Sequence, residues 1–187
     1  MESINIDKAK TIKGFMTEEE LSWLAMQAQN YNQIIEVGSY LGRSTRALAD
    51  NTNGRVLALD DWFGPRDVHI YINERLKLFE TFQQNIADLL ETKKVVVSKI
   101  DYRNLNKLKP ILGPDMIFID GDHRVEATRR DISWAITNIK QNGLICGHDI
   151  NLKSVRDAVK SYFRSYNRGS GSIWWVKLTE KRYGAAK

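Results

Sequence analysis

Short apolar runs alternate with longer amphipathic segments along most of this chain. Each run is bounded by polar residues or glycine, which is typical of strands in a sheet that is covered on both faces. Five runs are spaced as parallel strands joined by helices would be, and a sixth follows as a closing strand. The runs are residues 34–37, 56–59, 95–97, 116–119, 144–146 and 173–178.

The segments between these runs carry apolar residues at helical spacing. Thr17 followed by Glu20 is a capping-box pattern, which predicts the start of a helix. The apolar face from Ile72 through Leu76, Phe79 and Ile86 to Leu89 predicts a helix of about five turns. Further helices are expected within 125–139 and 155–163. Strands that alternate with helices predict an α/β fold, a Rossmann-like, doubly wound, mostly parallel sheet with helices on both faces and a C-terminal closing strand.

Residues 34–44 read as a strand, a tight turn and the start of a helix. Gly38 and Gly42 can take unusual dihedral angles, and the free N–H groups of the helix that follows can meet a ligand. Tyr40 occupies the position of the second glycine in the dinucleotide fingerprint, which disfavours a nicotinamide or flavin dinucleotide. A nucleoside cofactor is the functional interpretation of this segment, and an ordinary strand-to-helix turn is the alternative.

Asp60 ends the second apolar run. In a Rossmann-type unit, an acid about 20 residues after the glycine turn holds the ribose hydroxyls of an adenosine ligand. Trp62 follows in a loop, where it could cover the adenine ring or anchor the loop.

Carboxylates and histidines follow the fourth and fifth runs. Asp120 and His123 come after one run, and His148 and Asp149 come after the other. Neighbouring parallel strands end at the same edge of a sheet, so these side chains should converge. Two close carboxylates need a cation or a proton between them, and Mg²⁺ suits such a pair. Helix capping is the alternative for the aspartates, and the favoured interpretation for Asp122.

Composition narrows the class further. The 187 residues are 42% hydrophobic and 27% charged, which fits one globular domain, with a core of about 34–178 and a helical extension over 1–33. No apolar run approaches a membrane span and no signal peptide is evident, so we expect a cytoplasmic protein. The single cysteine, Cys146, reads as a buried apolar side chain. Much of the net charge of +5 lies late in the chain, where a solvated basic face or an anionic acceptor explains it better than nucleic acid.

Four segments together resemble the small class I S-adenosylmethionine-dependent methyltransferases of the "methyltransferase domain" family. They are Ile-Glu-Val-Gly-Ser-Tyr-Leu-Gly-Arg-Ser-Thr at 35–45, Leu-Asp-Asp-Trp-Phe-Gly at 59–64, Phe-Ile-Asp-Gly-Asp-His at 118–123 and Gly-Leu-Ile-Cys-Gly-His-Asp at 143–149. Sugar and antibiotic-tailoring O-methyltransferases and the proteins called cephalosporin hydroxylases are similar. The cofactor-binding residues that the resemblance implies are Glu36, Gly38, Ser39, Tyr40, Gly42, Ser44, Asp60, Asp61, Trp62, Asp101, Tyr102 and Asp120.

Catechol-type members of this wider group bind magnesium with an Asp after the fourth strand and acidic or amide residues after the fifth. The resemblance therefore implies Asp120 and Asp149 as metal ligands. Ile150 stands where those enzymes have an Asn ligand, so the third ligand is either missing or replaced, and His148 could substitute for it, although an imidazole is a softer ligand than Mg²⁺ prefers. His123 falls where they place a basic lysine and is the candidate general base, with Asp120 as a second catalytic residue.

The resemblance implies methyl transfer to a hydroxyl of a sugar, a glycan or a small-molecule natural product, with Mg²⁺ as an optional second cofactor. A metal-independent methyltransferase is one alternative. A non-catalytic nucleoside-cofactor-binding module or partner subunit is the other. The compact chain suits an open site, or a site that a second subunit completes in a homodimer.

Overall fold

The computed structural model describes residues 3–64, 72–108 and 113–179. Within these ranges the strands are β1 (Gln33–Val37), β2 (Arg55–Asp60), β3 (Val95–Lys99), β4 (Met116–Ile119), β5 (Leu144–Gly147), β6 (Asn167–Arg168) and β7 (Trp174–Lys177). They form one sheet with the order β3-β2-β1-β4-β5-β7-β6. Strands β1 to β5 are parallel, whereas β7 is antiparallel to β5 and β6. The predicted fold class is confirmed.

The helices in the described ranges are α1 (Asp7–Thr11), α2 (Glu18–Ala28), α3 (Arg43–Asn51), α4 (Ile72–Arg75), α5 (Leu78–Asn85), α6 (Ala87–Glu91), α7 (Val125–Asn138) and α8 (Lys153–Tyr162), with a 3-10 helix at Tyr102–Lys107. The capping box of α2 is present, since Glu20 N–H donates to Thr17 Oγ1 and Thr17 N–H donates to Glu20 Oε2. None of these helices has the length and apolar character that a membrane crossing requires.

Buried side chains fill a core on each face of the sheet. One core packs α1, α2, α3, α5 and α6 against residues such as Ile34 and Phe118. The other packs α7 and α8 against residues such as Ile117 and Ile145. The two layers of helices leave the carboxyl ends of the parallel strands as the edge where a site can form.

The prediction of one long helix over 72–89 is wrong. The segment forms the three short helices α4, α5 and α6, and Ile72 and Leu76 are 75% and 77% exposed. The chain leaves the helical conformation at Ile86, whose side chain is fully buried against Gly42. The Asn85 side chain donates to Leu41 O at 2.8 Å. Tertiary contacts with the glycine turn therefore break the helical pattern.

The description of the third strand as covered on both faces is also wrong. β3 is an edge strand, and Val96 is 46% exposed. Three elements were not individually predicted: α1, which lies within the expected helical extension over 1–33, the 3-10 helix and β6. Each is short and largely polar, so none carries a clear hydrophobic period.

Candidate active site

The register of the parallel strands brings four strand ends to one level. Val37 pairs with Leu59 on one side and with Ile119 on the other, and Ile119 pairs with Gly147. The residues that follow these positions leave the sheet side by side. A cavity of about 320 Å³ opens there, where open parallel sheets bind their ligands.

Most of the residues predicted for the site line this cavity. They are Gly38, Ser39, Tyr40, Ser44, Asp60, Asp61, Asp120, His123, His148 and Asp149. The glycine turn and the acidic strand ends, which were predicted from separate parts of the sequence, thus face the same space.

Asp60 holds the glycine turn together. Its Oδ2 atom accepts the backbone N–H groups of Ser39 and Tyr40, each at 2.8 Å, and its Oδ1 atom accepts that of Trp62 at 2.7 Å. Burial raises the pKa of Asp60, and these backbone donors act against that shift. The Asp60 carboxylate, which the sequence analysis expects to bind the ribose hydroxyls, therefore accepts hydrogen bonds mainly from backbone N–H groups. Asp61, the next residue, also lines the cavity.

Trp62 anchors the turn from beneath. Its ring is 4.7 Å from that of Phe79 and 4.8 Å from that of Phe82, and the residue is 4% exposed. Its indole N–H donates to Tyr40 O at 2.9 Å. Of the two roles open to Trp62, these contacts match the loop anchor and not a cover for adenine. Tyr40 is held in the left-handed region, with φ of 45°.

Glu36 lies fully buried under the same turn. It accepts hydrogen bonds from the hydroxyls of Ser39, at 2.7 Å, and Thr45. Burial raises the pKa of Glu36 to about 7, and the hydroxyl donors hold it from rising further. Its contacts support the turn from inside the fold, and its role at the cofactor stays a prediction.

Helix α3 begins at this turn. Gly42 precedes it with φ of 91°, a conformation that favours glycine, and packs against Phe82 and Ile86 below the cavity. Arg43 and Ser44 line the cavity beside the helix start. The first N–H groups of a helix lack partners within the helix and attract anionic groups. This end of the cavity therefore suits a carboxylate or phosphate.

Asp101 and Tyr102 lie after β3. Asp101 O accepts Asn104 N–H at 2.7 Å, and the 3-10 helix begins at Tyr102. Their role at the cofactor stays a prediction.

Two aspartates and two histidines meet at the ends of β4 and β5. His123 Nε2 lies 3.1 Å from Asp149 Oδ2 and 3.7 Å from Asp120 Oδ1. His148 Nδ1 lies 3.2 Å and 3.7 Å from the same two oxygens. The aspartate side chains are 21% and 28% exposed, so both carboxylates reach the cavity. The structure brings all four residues into one group, called here the acid–histidine cluster.

His148 is buried and faces carboxylates with both ring nitrogens. On the far side from Asp149, its Nε2 atom lies 3.1 Å from Glu20 Oε1 and 2.9 Å from Ser172 Oγ. Burial disfavours the charged ring, but the hydrogen bond to Asp149 and the charge of Asp120 outweigh it and raise the pKa of His148 to about 10. The ring is therefore an imidazolium at neutral pH.

The sequence model of the family described as "Methyltransferase domain" matches residues 35–150, more than half of the chain. The chain belongs to this methyltransferase family. The match includes the glycine turn, both aspartates of the cluster and both of its histidines. The enzyme class that the four motifs predict is confirmed. Comparison with curated proteins gave no match.

Solved structures show the same fold for the methyltransferase. The cofactor-bound protein Rv0187 from MTB is 18% identical, with a TM-score of 0.69 over 94% of this chain and 86% of that chain. The O-methyltransferase TomG from Streptomyces achromogenes, in complex with SAM, is 14% identical, with a TM-score of 0.66 over 88% of this chain and 82% of that chain. An O-methyltransferase from Bacillus cereus, in complex with SAH, is 18% identical, with a TM-score of 0.65 over 90% of this chain and 86% of that chain.

The cluster of this methyltransferase contains ligand atoms of the kinds that bind divalent cations. One ligand atom each of Asp120, His123 and Asp149 lies within 4.8 Å of the others. Mg²⁺ prefers oxygen and keeps several waters, so the two carboxylates suit it and the imidazole is a softer donor. His148 is not among these three residues, since both of its ring nitrogens face carboxylates, and its role as a third ligand stays a prediction.

Several residues at the site were not predicted as part of it. Glu20 was recognised only as a helix cap, and its partner Ser172 lies in a glycine-rich turn. Phe15, Met16 and Leu152 line the cavity. The sequence offered one signal for these residues, the aromatic Phe15 two positions before the helix cap Thr17. An aromatic residue there does not by itself distinguish a binding site from a surface position.

Proposed function

We propose that this methyltransferase uses S-adenosylmethionine to methylate a hydroxyl group of a sugar, a glycan or a small-molecule natural product. The observation that carries the proposal is that the glycine turn and the acid–histidine cluster line one cavity. A module that only binds a cofactor needs the turn but not the cluster. The relatives crystallised with SAM and SAH support the choice of cofactor.

The cofactor half of the cavity lies at the ends of β1 and β2. Gly38, Ser39 and the start of α3 at Ser44 would face the amino acid portion of the cofactor, and Asp61 its ribose. S-adenosylmethionine supplies a methyl group that is already activated on a sulfonium. The work left to the chain is to align the acceptor oxygen and remove its proton.

His123 is the proposed general base. The acceptor oxygen takes the methyl group as the S–CH₃ bond of the sulfonium breaks, which leaves S-adenosylhomocysteine, and the acceptor proton ends on the His123 ring. Asp120 and Asp149, at 3.7 and 3.1 Å, stabilise the imidazolium that forms.

Asp120 and Asp149 would also hold a Mg²⁺ ion, which when bound lowers the pKa of an acceptor hydroxyl. In the metal-independent alternative, Asp120 and Asp149 orient the acceptor hydroxyl directly, with the rings of His123 and His148 beside both carboxylates.

Methyl transfer from labelled S-adenosylmethionine to a panel of hydroxyl acceptors tests the proposal. The assay is run on untreated protein, after EDTA, and after Mg²⁺ is restored. We expect product with at least one acceptor class, loss of product on chelation and recovery with Mg²⁺. Transfer that survives EDTA removes the metal from the proposal. Folded protein that binds SAH but methylates nothing would favour the cofactor-binding module.

A further inference from the structure

Two arginines meet at one exposed residue on the rim of the cavity. Arg168 Nη2 donates to the side-chain oxygen of Asn151 at 2.8 Å, and Arg156 Nη1 donates to the backbone oxygen of the same residue at 3.1 Å. Asn151 lies between Asp149 and Leu152, which both line the cavity. Two residues of chain limit the distance between the Cα atoms of Asp149 and Asn151 to about 7 Å. Both guanidinium groups therefore lie beside the acid–histidine cluster.

Backbone carbonyls hold these two side chains in place. Arg156 Nη1 also donates to Ile150 O at 3.4 Å, and Arg168 Nη2 also donates to Gly171 O at 3.3 Å. A guanidinium carries five N–H donors on three nitrogens. Among the described residues, these hydrogen bonds engage one nitrogen of each arginine. The other nitrogens can donate to a ligand.

The positive charge at this rim has little acidic compensation. In the part of the chain that the structure describes, neither Arg156 nor Arg168 forms an ion pair with a carboxylate. The neighbouring Lys153 pairs with Asp157 at 2.5 Å. Residues 151–179 contain six basic residues and one acidic residue. The rim therefore attracts anions.

The carboxylates of the cluster do not cancel this charge. Asp149 Oδ2 lies 3.1 Å from His123 Nε2 and 3.2 Å from His148 Nδ1, so the rings of the cluster compensate the carboxylate that lies nearest to Asn151 in the chain. Arg168 is exposed and Arg156 is half-buried. An anion from solvent can therefore reach the pair of arginines.

Two guanidinium groups suit a phosphate better than a carboxylate. A carboxylate has two oxygens, and one guanidinium can engage both of them in a bidentate pair. A phosphate ester has three strong acceptor oxygens and up to two negative charges, so it can accept hydrogen bonds from two guanidinium groups at once.

We propose that Arg156 and Arg168 bind the phosphate of a phosphorylated sugar acceptor, while a hydroxyl group of its sugar ring reaches His123. This inference rests on the proposed function and narrows its acceptor class. The phosphate belongs either to a simple sugar ester or to a nucleotide sugar, because both present the same chemical group to the arginines. If the arginines only tether the loop after β5, their replacement will not change the affinity for such a ligand.

Calorimetry on protein saturated with SAH tests the inference, because SAH then occupies the anion-binding end of the cavity at α3. The titrants are glucose 1-phosphate, UDP-glucose, glucuronate, methyl glucoside and inorganic phosphate. The variants are Arg156→Gln, Arg168→Gln and the double variant. Arg164→Gln, which removes an exposed arginine just after α8, is the control for net charge. Circular dichroism checks that each variant is folded.

We expect the wild type to bind the two phosphorylated sugars more tightly than the other three titrants. Arg156→Gln and Arg168→Gln should each raise the Kd of glucose 1-phosphate about tenfold, for the loss of one charge-assisted contact, and the double variant should raise it further. Arg164→Gln should stay within about twofold of wild type. The SAH Kd should not change in any variant. Because Arg168 lies on the two-residue edge strand β6, its variant decides the matter if Arg156→Gln does not fold.

Wild-type protein that binds SAH but neither phosphorylated sugar would overturn the inference and leave the proposed function intact. A double variant with wild-type affinity would leave the arginines as tethers of the loop, which also overturns it. Inorganic phosphate or glucuronate bound as tightly as glucose 1-phosphate would exclude an acceptor site of this chemistry. Folded wild-type protein that binds no SAH would remove the proposed function and this inference with it.

Discussion

His148 Nε2 lies 3.1 Å from Glu20 Oε1, while Nδ1 of the same ring lies 3.2 Å from Asp149 Oδ2. One imidazolium thus joins the first turn of an N-terminal helix to a carboxylate of the candidate active site. Burial opposes ionisation of Glu20, but hydrogen bonds from the backbone of Ser172 and Thr17 outweigh it and lower the pKa of Glu20 to about 2. Both partners are therefore charged at neutral pH.

Glu20→Gln should destabilise the protein by about 2–3 kcal/mol, because it leaves the buried His148 charge without one of its partners. The loss is measured by urea unfolding at pH 7.5 for Glu20→Gln, His148→Gln and the double variant. The two single losses should sum to clearly more than the loss in the double variant, since both remove the same interaction. Additive losses would show that the two side chains do not interact in solution.

We expect Asp60 to be a structural residue and Asp61 to be a cofactor-binding residue. Asp60→Asn weakens acceptors for three backbone N–H groups and should lower stability by about 2–4 kcal/mol. Asp61→Asn should leave stability within about 0.5 kcal/mol and weaken SAH binding about tenfold. Thermal unfolding and calorimetry on both variants make the comparison. An Asp60→Asn protein with wild-type stability and no SAH affinity would return the ribose role to Asp60.

His123→Ala should reduce kcat by about 10² to 10⁴, the range for loss of a general base, with the SAH Kd unchanged. Added imidazole should restore part of the rate, because it can take the proton from the space that the side chain leaves. The measurement is initial rate against imidazole concentration, with wild type as the control. Equal losses of turnover and SAH affinity, without rescue, would take His123 out of the catalytic role.

The buried carboxyl of Asp131 on α7 should make the stability of the protein depend on pH. It is 1% exposed, neither oxygen has a hydrogen-bond partner among the described residues, and Arg130 Nε lies 3.5 Å from Oδ1. Burial raises its pKa to about 7, and Arg130 offsets only part of that shift. A carboxyl whose pKa is raised on folding stabilises the protein below its unfolded pKa of about 4, and this contribution is lost as pH rises toward 7.

Asp131→Asn removes that titration. The stability of the variant relative to wild type should rise by about 2–3 kcal/mol when the pH is raised from 5 to 8, as measured by the free energy of urea unfolding at each pH. Glu126→Gln, an exposed carboxylate on the same helix, controls for the change in net charge. Parallel pH profiles for wild type and Asp131→Asn would show that Asp131 is not buried as a titrating group.

The fold was predictable because its signals are local. Buried parallel strands read as continuous apolar runs, and the Thr17 to Glu20 pattern marks a helix start within four residues. The breaks between Ile72 and Leu89 were not predictable, because contacts of Asn85 and Ile86 with the glycine turn cause them. The spacing of apolar residues does not show that a side chain will contact a segment far away in the sequence.

The candidate site was predictable where topology alone brings residues together. Asp120 and Asp149 follow neighbouring parallel strands, so their approach needs only the strand order. The contacts of Glu20 and Phe15 depend on how the N-terminal segment folds back across the sheet, and no periodicity encodes that path. The same limit applies to Asp60, because the sequence shows its place after β2 but not that its oxygens turn toward the backbone of Ser39 and Tyr40.

Calorimetric titration of the wild-type protein with S-adenosylhomocysteine is the most direct test of the account. We expect saturable binding of one molecule per chain, weakened by Asp61→Asn and unchanged in His123→Ala. Such a result would place the cofactor at the glycine turn and leave the acid–histidine cluster for the acceptor. Absence of binding to protein that is folded by circular dichroism would contradict the assignment of this cavity to S-adenosylmethionine.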